Sequence, residues 1–108
     1  MSETQTISID SPASPFDRSF LAGIGSCHAY LTLREDWRDH ARLIQKEIGF
    51  CSVRAHAIFH DLVGIYAAEK YAEPSYNFQN LDKIYDFWLS IGLKPYVELS
   101  FMPAALAI

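Results

Sequence analysis

Arg54, His56, His60 and Asp61 crowd one short stretch of β-forming character, Val53-Arg54-Ala55-His56-Ala57-Ile58-Phe59-His60-Asp61. A second stretch, Lys94-Pro95-Tyr96-Val97-Glu98-Leu99-Ser100-Phe101-Met102-Pro103, carries a carboxylate at a comparable depth. Alternation along a strand puts Arg54 and His56 on one face, with Ile58, and Val53, Ala55 and Ala57 on the other. His56 then either meets a substrate hydroxyl or is a core histidine with its hydrogen bonds satisfied. Arg54 and Glu98 are costly to bury apart, so they are expected to form a structural ion pair in which Glu98 balances Arg54. Cleaving a glycosidic bond needs two carboxyl groups about 5–10 Å apart. Asp61 is the one contender to join Glu98, and it falls in a loop.

Other chemistries fit less well. His28, His56 and His60 could together ligate a metal, but no pair has the short spacing of a zinc motif. Gly23-Ile24-Gly25 begins like a dinucleotide loop. His28 then takes the place of the third glycine and no helix follows at once, so tight turning at a strand end accounts for both glycines. Tyr30, Phe59, Tyr66 and Phe101 lie near expected strand ends, where rings either stack on sugars or belong to the core.

These groups need strands to carry them and helices to space the strands. Phe20–Gly25 is expected as a first strand. The spacing of Trp37, Ala41, Ile44 and Ile48, with Leu43 beside them, predicts a helix over 34–48 that Gly49 stops. Residues 50–59 form a second strand, and 60–75 a long connection turned at Gly64 and Pro74. Asn77 caps a second helix over 78–91, with Leu81, Ile84, Tyr85 and Trp88 on its apolar face. Gly92 ends it, and 94–99 is a third strand. The crossovers are too long for hairpins, so the strands are parallel with right-handed connections. Polar groups at the C-terminal ends of such strands are how a βα-barrel enzyme presents its site.

The 108 residues suffice for one ordinary domain, and 50% hydrophobic content suffices for a core. A net charge of −4 and scattered Lys and Arg give no footprint for nucleic acid or an anionic membrane. No apolar run approaches the ~20 residues that span a bilayer. No signal peptide is legible, so cytoplasmic location is the default expectation. Cys27 and Cys51 are too few for a disulfide framework and are expected as buried free thiols.

Taken in order, the motifs resemble one family. They are Arg54-x-His56 through Asp61 to Gly64-Ile65-Tyr66, Tyr76-Asn77-Phe78, Leu81-Asp82-Lys83-Ile84-Tyr85-Asp86, and Ile91-Gly92-Leu93-Lys94-Pro95-Tyr96-Val97-Glu98-Leu99-Ser100-Phe101-Met102-Pro103. From about Phe20 onward the chain is similar to glycoside hydrolase family 39, which holds β-xylosidases and α-L-iduronidases, and the β-xylosidase branch looks nearest. The resemblance implies an α/β fold, the N-terminal part of a TIM (β/α)8 barrel with about three strands and two helices. Residues 1–19 would be a flexible tail, and 20–108 a partial barrel truncated after strand three.

The implied parent reaction is retaining hydrolysis of terminal β-D-xylosyl residues in xylo-oligosaccharides or another glycoside, without metal or cofactor. In the family the acid/base follows an Asn in an Asn-Glu pair after strand four, and the nucleophile ends strand seven. Neither segment occurs here, so no catalytic residue is expected and the chain alone should be inactive. What the resemblance carries over is substrate binding, to His56 at the subsite of the sugar to be cleaved. It extends to His28 after strand one, Asp61 in the next loop and Phe101 after strand three. His60 receives no role, since several relatives have another residue there. A non-catalytic sugar-binding module, a piece that associates with itself or with a complementing chain, and a metal-dependent hydrolase on His28, His56 and His60 are the rival readings.

Overall fold

In the computed structural model, which describes residues 2–69 and 72–107, the chain forms β1 (Ile24–His28), α1 (Glu35–Glu47), β2 (Ser52–His56), β3 (Tyr66–Ala67), β4 (Ser75–Tyr76), α2 (Gln79–Ser90) and β5 (Lys94–Val97). Met1 of the expected tail, Lys70 and Tyr71 of the long connection, and Ile108 of the expected partial barrel lie outside the described residues. Strands β1, β2 and β5 are parallel in that order, with Ile24 beside Val53 and Val53 beside Pro95. Three parallel strands with two helices make part of a TIM-barrel arrangement, and no closed barrel forms among the described residues.

The first strand starts later than its composition suggests. Ser19–Ala22 is a 3-10 turn, and the ladder begins only at Ile24. The apolar run instead meets the foot of β2 through single bonds. Leu21 C=O accepts from Cys51 N–H at 2.8 Å, and Ala22 C=O accepts from Ser52 Oγ at 2.6 Å. Gly23 makes this approach possible, since a Cβ there would lie 2.7 Å from Ser52 Oγ. Its place is steric, with no phosphate needed to explain it.

β2 is also shorter than its β-forming stretch. The chain leaves the strand at Ala57, whose φ of 63° is left-handed. Ile58 therefore turns into the core and does not share the face of Arg54 and His56. The long connection holds its own two-stranded antiparallel ladder, Tyr66 beside Tyr76 and Ala67 beside Ser75. Residues 2–18 form neither helix nor strand. Cys27 and Cys51 are both exposed, contrary to the buried thiols expected: Cys27 lines an open cleft between β1 and α1, and Cys51 precedes β2.

Helix packing fixes the sheet. Val53 and Ala55 of β2 meet Ile84, Phe87 and Trp88 of α2 and Ala41 of α1 in one core. Trp88 is 2% exposed, and its Nε1–H donates to Thr32 Oγ1 at 3.1 Å, which ties α2 to the 3-10 turn after β1. Phe87 lies under the guanidinium groups of Arg38 and Arg42, at 4.9 and 5.1 Å from the ring centre. Phe78, not Asn77, is the N-cap of α2, and Asn77 Oδ1, one residue earlier, accepts from Gln79 N–H at 2.9 Å. Gly92, with φ of 81°, takes the left-handed turn that ends α2 and starts β5.

Candidate functional site

Register alone brings the polar groups together. Arg54 pairs with Tyr96 and Ala55 with Val97, so the next step up the ladder sets His56 beside Glu98. All three charged or polar side chains then share the face that looks away from the helices. Arg54 Nη2 lies 2.7 Å from Glu98 Oε2, and His56 Nδ1 lies 3.3 Å from both carboxylate oxygens. Ser100 Oγ donates to Glu98 Oε1 at 3.0 Å and accepts from Ala57 N–H at 3.0 Å. Phe59 N–H donates to Ser100 C=O at 2.8 Å. Ser100 thus joins the end of β5 to the turn after β2. No role falls to it in the sequence reading, although the two-residue period of a strand places it on the side of Glu98.

These donors hold the Glu98 carboxyl below its ordinary value of 4.5. The hydrogen bond from His56 is the largest cause, then that from Ser100, with the charge of Arg54 adding to them. A depressed carboxylate stabilises the fold fully above its unfolded value, and the contribution is lost as pH falls through the folded one. Acid titration followed by circular dichroism should therefore show a transition beginning below about pH 4.5, and Glu98→Gln should flatten it. An unchanged acid limb in that variant would show that the cluster adds nothing to stability.

His28, at the end of β1, gathers the rings. Its centre is 5.2 Å from Tyr30 in a stacked pair, 6.1 Å from His56, 6.3 Å from His60 and 5.9 Å from Phe101. Tyr30 and His60 are 5.3 Å apart. His28, His56 and Phe101 therefore converge on one mouth above the Arg54–Glu98 pair. The Asp61 carboxylate accepts from Ala104 N–H at 3.2 and 3.4 Å, which bridges the loops after β2 and β5. Among the described residues, no three His, Cys, Asp or Glu side chains come together in a way that would hold a metal ion.

The chemistry open to this arrangement is recognition. A general acid needs a raised carboxyl pKa, and Glu98 has the opposite. Imidazole nitrogens and aromatic rings around a neutralised ion pair suit a ligand with several hydroxyls and an apolar face.

Parallel strands alternating with helices, with polar side chains at the C-terminal strand ends, define part of a βα-barrel. Comparison with known proteins narrows the class. The profile of glycosyl hydrolases family 39 matches residues 5–108. A beta-xylosidase of Caldicellulosiruptor saccharolyticus is 45% identical over 84 residues, 78% of this chain and 17% of that protein. A beta-xylosidase of Geobacillus stearothermophilus is 36% identical over 95 residues, 85% of this chain and 19% of that protein. The crystal structure of a monomeric beta-xylosidase from Caulobacter crescentus CB15 superposes with a TM-score of 0.75 at 38% identity, over 86% of this chain and 19% of that one. The chain belongs to glycosyl hydrolase family 39, and within that family it matches the β-xylosidase branch. It spans less than a fifth of the length of these curated relatives.

Proposed function

We propose that this chain supplies the xylose-binding strand ends of a retaining β-xylosidase and carries no catalytic carboxyl itself. The parent reaction is release of terminal β-D-xylosyl residues from xylo-oligosaccharides. The observation that supports this reading is the anchoring of His56. Glu98 holds its Nδ1 and leaves Nε2 for a sugar hydroxyl, with His28 and Phe101 at the same mouth. The sequence contains no Asn-Glu pair, and Glu98 is committed to Arg54, His56 and Ser100.

Titration of the chain with methyl β-D-xyloside, followed by NMR, should shift the ring signals of His56, His28 and Phe101. His56→Ala should weaken binding about three- to tenfold, the worth of one hydrogen bond. Equal binding by this variant would remove His56 from the site.

A further inference from the structure

Three histidines meet at the strand ends, and each has its Nδ1 engaged by a different partner. Leu62 N–H donates to His60 Nδ1 at 3.1 Å. A ring nitrogen that accepts carries no proton, so neutral His60 keeps its proton on Nε2. Cys27 Sγ lies 3.2 Å from His28 Nδ1. With the thiol as donor to the better acceptor, the imidazole nitrogen, His28 also keeps its proton on Nε2. His56 is the reverse. Its Nδ1 faces the Glu98 carboxylate, which only accepts, so the proton sits on Nδ1 and Nε2 offers a lone pair.

We propose that the three rings form a donor–acceptor code for sugar hydroxyls, in which His60 is a third and specificity-determining contact. His28 and His60 present Nε2–H donors, and His56 presents an acceptor. A hydroxyl between His56 and His28 gives its hydrogen to the first and receives one from the second. The rings of His56 and His60 stand 6.1 and 6.3 Å from that of His28, so the three line one mouth. An ether or carbonyl oxygen has no hydrogen for His56, so the code selects hydroxyls. The inference rests on the sugar-binding reading above.

The plain alternative is that His60 only terminates a turn by accepting from Leu62. Two substitutions separate these roles. The side-chain amide of Asn stands where Nδ1 does and keeps the turn without the distal donor. The amide of Gln stands where Nε2 does and keeps the donor. The test takes the whole 108-residue chain, with 15N-labelled histidine, in long-range 1H–15N spectra with and without methyl β-D-xyloside. The expected result is a Nδ1–H tautomer at His56, Nε2–H tautomers at His28 and His60, and xyloside shifts in all three rings. His60→Asn should bind about three- to tenfold more weakly, and His60→Gln close to the unsubstituted chain. A Nδ1–H tautomer at His60, shifts that reach His56 and His28 but not His60, or undiminished binding by His60→Asn would overturn the proposal. A xyloside that moves none of the rings would overturn the sugar-binding reading itself, and the code with it.

Discussion

Incubated with an aryl β-xyloside, the 108-residue chain is expected to release no product above background. Retaining hydrolysis places one carboxyl group to protonate the leaving oxygen and a second, about 5–5.5 Å away, to attack the anomeric carbon. Glu98 is held by Arg54, His56 and Ser100, and the Asp61 carboxylate accepts from Ala104 N–H. Glu98 itself is a poor proton donor. The hydrogen bonds from His56 and Ser100 and the charge of Arg54 favour its ionised form, and a general acid works best with its pKa near the working pH. Losing a single member of a catalytic pair already removes most of an enzyme's rate enhancement. Turnover that disappears in Glu98→Gln would contradict this and make Glu98 a catalytic group.

Replacing Trp88 with Ala should abolish cooperative unfolding at 25 °C. The side chain is 2% exposed and stands in the one core that α2 shares with β2 and α1. Truncating a buried Trp costs about 3–5 kcal/mol. Thr32, which is 0% exposed, would also lose the Nε1–H that it accepts. Whole domains are stable by only about 5–15 kcal/mol, and a small three-stranded sheet sits at the low end. Thr32→Val is the milder control: it leaves the Trp88 N–H buried without a partner, at about 1–3 kcal/mol. Urea titration by tryptophan fluorescence and circular dichroism distinguishes the two. A Trp88→Ala chain with an unshifted midpoint would mean that α2 does not dock through this residue.

The helices are legible in the sequence because their signals are local and redundant. Trp37 to Ile48 and Leu81 to Trp88 hold a helical period, Asn77 marks the turn into α2, and Gly49 and Gly92 stop both. The start of β1 is not, because Phe20–Gly25 is the more apolar run while Ile24–His28 has the neighbour to pair with. Strands of two residues, as in β3 and β4, show no period at all. Ala57 is an ordinary alanine whose left-handed φ no local rule foretells. That turn sends Ile58 inward and brings Ala57 N–H to Ser100. The closeness of Arg54, His56 and Glu98 follows from strand parity once the parallel register is known. The place of Asp61 does not, since it depends on how two loops fold over each other. The hydrogen bond that orients His60 is likewise invisible until Leu62 N–H is placed.

If these strand ends do for a β-xylosidase what the matching segment of its relatives does, they should be exchangeable with it. The direct measurement is a graft. The matching segment of the Caldicellulosiruptor saccharolyticus beta-xylosidase, 45% identical over 84 residues, is replaced by the residues of this chain, and kcat/KM on an aryl β-xyloside is compared with and without His56→Ala. The expected result is an active graft that loses about tenfold or more in kcat/KM when His56 is removed. A graft that unfolds cooperatively but is inactive, or one indifferent to His56→Ala, would contradict the xylose-binding role of this chain.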